Sequence, residues 1–137
     1  MEILVLVGLM IMLLLPLLIY SYGRANVVRE DLGMQKAEFA VQRLASLADS
    51  VGYIGGNASI IEEIEVPEQA RSLRVVNGDI AMEIYSNGKW SQMAKSSAFK
   101  LQESGLERIT SGGTYFIEVR ADTDLSGGAQ TVTLTLK

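Results

Sequence analysis

The sequence predicts an α+β protein in which a long N-terminal hydrophobic α-helix is followed by an antiparallel β-rich globular head. Three observations carry this reading. Ile3 to Gly23 holds no charged side chain, while all 12 Lys and Arg lie from Arg24 onward. The apolar pattern then becomes one-sided with helical spacing as far as Val51, and from Ser59 it changes to a strand period punctuated by Asn-Gly turns. The chain of 137 residues accordingly divides into a hydrophobic, membrane-length helix over 1–23, an amphipathic continuation over 24–51 and a β-rich head over 52–137.

At 1.5 Å rise per residue the uncharged stretch is about 30 Å long, the thickness of a bilayer's hydrocarbon core. A secretory signal peptide would open on positive charge, carry a shorter apolar run and end at a small-residue cleavage site, whereas this chain begins Met1-Glu2 and runs on in Leu, Ile, Val and Met. Pro16 lacks the N–H that would bond the Met12 carbonyl, so the helix is expected to bend or loosen there. Tyr20 and Tyr22 stand where an interfacial aromatic belt belongs, followed by Arg24 and Arg29. With no basic residue ahead of the helix, the positive-inside rule taken on these residues alone puts the C-terminal domain in the cytoplasm, an inference that fails if a basic leader has been removed or lies upstream.

Beyond Arg24, the residues Ala37, Ala40, Val41, Leu44, Ala48 and Val51 follow i, i+3, i+4 spacing, with Arg43 and Asp49 on other faces. One helix is predicted to run to about Ser50, weakened at Gly33 and ended by Gly52, Gly55 and Gly56. Such a rod is about 75 Å long. Strands are predicted at Ile60–Val66, Leu73–Val76, Ile80–Tyr85, Trp90–Met93, Tyr115–Ala121 and Thr131–Leu136, all rich in β-branched and aromatic residues. Asn77-Gly78 and Asn87-Gly88 suit type I′ turns, whose two central residues need positive φ, so Leu73–Met93 reads as a three-stranded meander. Thr131, Thr133 and Thr135 alternate with Val132, Leu134 and Leu136, one face wet and one buried. The stretch Phe99–Thr110 carries no assignable pattern.

Composition narrows the chemistry. The net charge of -4 argues against a nucleic-acid-binding face. With no Cys there are no disulfides, zinc-thiolate sites or thiol nucleophile, and with no His the commonest general base is missing. No catalytic residue, metal site or cofactor site is predicted. Asp122-Thr123-Asp124-Leu125-Ser126-Gly127 imitates the start of a calcium loop, but its twelfth position is Thr133 rather than Glu, and an ordinary polar hairpin loop is the expected reading. Glu62, Glu63, Glu65 and Glu68 read as a solvated strand edge protected by charge. The aromatic residues Tyr53, Tyr85, Trp90, Phe99, Tyr115 and Phe116 are expected in the core. Asn57-Ala58-Ser59 is an N-glycosylation sequon in a glycine-rich loop.

The opening Met1-Glu2-Ile3-Leu4-Val5-Leu6-Val7-Gly8-Leu9, continued by Met10–Tyr22, resembles the start of archaeal type IV pilins and related class III signal-peptide proteins. The resemblance extends less specifically through Ala37–Asp49, Gly52–Gly56 and Val66-Pro67-Glu68. It implies a pilin-like fold, a basic leader clipped by a prepilin peptidase ahead of the glutamate that Glu2 matches, and a pilus assembly machinery as partner. It further implies a membrane-anchored precursor that becomes part of an extracellular, self-associating filament, a helical homopolymer whose core is the N-terminal helix. Glu2, Leu6, Leu9, Leu13 and Pro16 are then the expected assembly residues. Glu2, the one charge ahead of Arg24, is expected either to pair with a terminal ammonium of its own or a neighbouring chain, or simply to favour the helix start. A minor pilin or adhesin, and a single-pass membrane-anchored binding protein, are the alternative functions.

Overall fold

One helix, α1 (Glu2–Ile54), opens the chain and runs unbroken through both Pro16 and Gly33. The computed structural model of the chain describes residues 1–122 and 130–137. Two units are distinguishable, Met1–Leu32 and Gly33–Lys137. The first is helix alone. The second contains the rest of α1, whose buried residues begin at Gly33, together with the strands.

The helix ends later than its glycines suggest. Gly52 is helical and buried, and a Cβ there would lie 2.3 Å from Cδ2 of Phe99. Its role is close approach, as is that of Gly33, where a Cβ would lie 2.5 Å from the Gln69 Oε1. The stop comes at Gly55, whose φ of 66° is left-handed and whose N–H donates to the Val51 carbonyl at 3.0 Å. A glycine in a helix interior costs about 1 kcal/mol relative to Ala, which packing against the Phe99 ring offsets at Gly52, whereas at Gly33 the neighbour is the end of the flexible Gln69 side chain, which can move aside. Gly52→Ala is therefore expected to destabilise despite better helix propensity, because forcing a methyl against a packed ring costs about 1–3 kcal/mol. Phe99 makes an edge-to-face contact with Tyr53 at 5.1 Å, which the ring would give up on retreating. Thermal unfolding checks this: a lower midpoint is expected, and a higher one would mean that the ring yields.

Among the described residues, β1 (Ser59–Val66), β6 (Gly113–Asp122), β7 (Thr131–Leu136) and β5 (Lys100–Ser104) form one sheet in the order β1-β6-β7-β5. A second sheet is the meander β2 (Ala70–Val76), β3 (Asp79–Ser86), β4 (Lys89–Ser96), in that order. Its two turns are the predicted Asn-Gly pairs, with φ of 53° and 84° at Asn77 and Gly78 and of 52° and 76° at Asn87 and Gly88. The head is not wholly antiparallel. Lys100–Ser104 lies parallel to Thr131–Thr135, in a stretch where the sequence showed no pattern, and Leu106–Arg108 makes a 3₁₀ turn after Gly105. Within β5 only Leu101 is buried, so the strand carries no alternating signal of its own.

The core of the second unit is aliphatic. Ala37, Ala40, Val41, Leu44, Ala48 and Val51 of α1 join Ile80, Met82 and Ile84 of β3, Ile117 and Val119 of β6, and Val132 and Leu134 of β7. The aromatic residues expected there are mostly outside it, with Tyr53 77%, Phe116 52%, Trp90 49% and Tyr85 45% exposed. For Tyr85 and Phe116 strand parity is the reason: Tyr85 follows the buried Ile84, Phe116 precedes the buried Ile117, and successive side chains point to opposite faces. Phe99 and Tyr115 pack half-buried at its margin.

Polar contacts set the order of the margins. Arg43 and Lys36 of α1 pair with Glu62 and Glu65 of β1 at 2.7 and 2.6 Å, so half of the acidic cluster is bound to the helix rather than merely solvated. On the other flank Asp49 of α1 accepts hydrogen bonds from the Ser97 hydroxyl and, at 2.9 Å, from the Ala98 N–H, just beyond β4. The two sheets meet where the Val75 N–H of β2 donates to a Glu103 carboxylate oxygen of β5 at 2.6 Å. This leaves β1 and β4 as the outer strands.

Candidate functional site

In the first unit the residues expected to act in assembly fall on one face of a helix that is apolar on every side. Glu2, Leu6, Leu9, Leu13 and Pro16 are separated by four, three, four and three residues, so α1 brings all five to one face. Each is solvent-exposed within the chain, Leu13 to 69%. A shallow depression at the foot of this face is lined by Met1, Glu2, Val5, Leu6 and Leu9, apolar apart from the carboxylate. None of the most apolar stretch of α1 is buried by the chain itself. At the other end of that stretch Arg24 donates from Nε to the Tyr20 hydroxyl at 3.1 Å and lies 5.6 Å from the centre of its ring. An amphipathic aromatic ring beside a guanidinium one turn on is the chemistry of a membrane–water interface.

In the second unit the α1–β1 loop holds three successive left-handed residues, Gly55, Gly56 and Asn57, with Asn57 at φ 64°. The Ala58 N–H donates to the Gly55 carbonyl at 3.1 Å, which closes the turn and leaves the Asn57 side chain exposed. An exposed amide on a tight turn is accessible to a glycosyltransferase. If Asn57 carries a glycan, the intact mass of the protein from its native host should exceed the sequence mass, and Asn57→Gln should remove the excess; an unshifted native mass would reject the modification.

The outer face of the meander carries the other constellation. Arg71 lies 4.3 Å above the Trp90 ring and pairs with Glu83 at 2.6 Å, while Trp90 meets Tyr85 edge-to-face at 5.1 Å. The hydrogen bond from Arg71 holds the Glu83 carboxyl below the usual carboxylate range. Lys137, through a hydrogen bond and its charge, with a smaller effect of Arg120, does the same for Glu118 on β6. Tyr85 and Trp90 are direct cross-strand partners flanking the Asn87-Gly88 turn, so this cluster clamps the hairpin. The sequence offered Tyr85 and Trp90 only as core candidates; their pairing was legible in the hairpin register.

Of the calcium-like motif, Asp122 lies at the end of β6 and accepts a hydrogen bond from the Thr133 hydroxyl at 2.8 Å, while its next positions, 123–127, are outside the described residues. Glu63 and Glu68 of the acidic cluster are exposed. Comparison with known proteins finds no matching family model, no matching curated protein and no matching solved structure.

Proposed function

We propose that the chain is a structural subunit of an extracellular filament resembling archaeal type IV pili, polymerising through its N-terminal helix. One observation carries the reading: Ile3–Gly23 is apolar on every side and the chain buries none of it, while the second unit owns a complete core. Each such side chain gains about 1.5–3 kcal/mol on leaving water, so a helix of this composition demands a cover. A bilayer supplies one before assembly and the helices of other copies supply it afterwards. The face that aligns Glu2 with Leu6, Leu9, Leu13 and Pro16 is the surface on which one helix would find the next. The second units then form the outside, with Asn57 available for glycosylation. On this reading the chain is a non-enzymatic cell-surface protein that takes no cofactor and is matured by a prepilin peptidase and an assembly machinery.

Negative-stain microscopy of native surface filaments, with mass spectrometry of their subunits, tests it. Filaments composed chiefly of this chain are expected. Filaments made of another subunit with traces of this one would identify a minor pilin or adhesin, and a chain confined to membranes would identify a single-pass binding protein.

A further inference from the structure

Charge is segregated between the two outer strands. From Asn57 to Gln69, the stretch containing β1, there are four Glu and no Lys or Arg. From Ile84 to Gln102, the stretch containing β4, there are three Lys and no Asp or Glu. The ion pairs with α1 occupy Glu62 and Glu65, but Glu63 and Glu68 are exposed and, among the described residues, form no ion pair. Lys89 and Lys95 are likewise exposed and unpaired among the described residues. Each margin is recessed beside α1, by about 350 Å³ along β1, where Lys36 and Arg43 share the lining with Glu62, Glu63 and Glu65, and by about 260 Å³ along β4, where Glu38 of α1 lines the recess with Lys95. The β1 margin also presents exposed apolar surface on the face of Glu63, at Ile61 and Phe116, whereas the exposed Trp90 of β4 lies on the face opposite to Lys89.

We propose that the acidic β1 margin of one copy docks on the basic β4 margin of a second copy, so that successive heads join head to tail. This deepens the filament reading and rests on it for its biological setting. Charged outer strands repel their own kind, which is how natural sheets avoid edge pairing, but here the two edges have opposite sign and attract each other. A contact between two different surfaces does not close on itself and propagates into an open chain of subunits. An antiparallel approach that sets Glu63 beside Lys95 carries the turn that holds Glu68, just past the end of β1, toward Lys89 at the other end of β4.

The absence of cysteine makes the contact directly testable in the full-length protein. Glu63→Cys and Lys95→Cys in one chain, oxidised in native membranes and filaments, should give a ladder of dimers, trimers and longer species, and either substitution alone should give none. In the doubly substituted chain, Glu68→Lys and Lys89→Glu should each lower ladder yield several-fold, and the two together should restore most of it. Raising salt from 0.1 to 1 M, which shortens the screening length from about 10 to about 3 Å, should also reduce the yield. Filaments without a ladder, dimers from a single cysteine, or charge reversals that do not rescue each other would overturn the proposed contact while leaving the filament reading intact. A ladder in membranes from cells that make no filaments would support the contact and reject that reading.

Discussion

Leu13→Lys should abolish filaments. Leu13 lies midway along the uncharged stretch, on the face shared with Glu2, Leu6, Leu9 and Pro16, and is covered only by whatever surrounds the helix. In a bilayer a lysine at mid-depth costs about 3 kcal/mol, softened by the reach of its long side chain toward the interface. Between packed helices that escape is closed, and an unpaired ammonium costs several kcal/mol in each subunit. Repeated in every copy, that penalty exceeds what a polymer contact sustains. The readout is filament mass recovered from the cell surface against subunit held in the membrane; undiminished filaments would remove this face from the assembly. Glu2→Ala provides the graded companion: membrane insertion should stay normal while the ratio of filament to membrane-held subunit falls, and a wild-type ratio would reduce Glu2 to a helix-start acid favoured by the helix dipole.

The second large effect concerns what remains without that helix. A chain beginning at Val27 should be soluble, folded and unable to polymerise. The buried residues of α1 start at Gly33, and the second unit holds its own core of Leu44, Ile80, Met82, Ile84, Ile117 and Leu134. Circular dichroism with a cooperative thermal transition checks the folding, and sedimentation checks the state of association. Filaments from this chain would sink the assembly mechanism, and a molten, uncooperative chain would show that the first unit is needed for the core.

Much of this architecture was legible because its signals are local. Composition alone marks Ile3–Gly23, and three- and four-residue spacing picks out Ala37, Ala40, Val41, Leu44, Ala48 and Val51, all of which are buried. Asn77-Gly78 and Asn87-Gly88 announce the meander because positive φ at both turn centres is cheap for few residue types. The alternation of Thr with Val and Leu identifies which face of the last strand is buried. On the candidate assembly face, the spacing of Glu2, Leu6, Leu9, Leu13 and Pro16 becomes a surface as soon as the helix is granted.

The remainder depends on partners distant in sequence. Gly52 reads locally as a helix stop, yet the ring of Phe99, 47 positions on, makes it a packing site inside the helix. β5 has one buried residue and exists because β7 offers a parallel edge to it. Glu62 and Glu65 look like solvated edge charges until α1 brings Arg43 and Lys36 beside them. The sequence by itself determined the solvent each part of the chain requires, the helical face and the hairpins, because hydrophobic period and turn chemistry act over a few residues. Only the tertiary structure decided which strands lie at the margins, which glutamates keep a free charge and which aromatic rings stay outside, because those follow from sheet order and strand parity, set by packing between residues far apart along the chain.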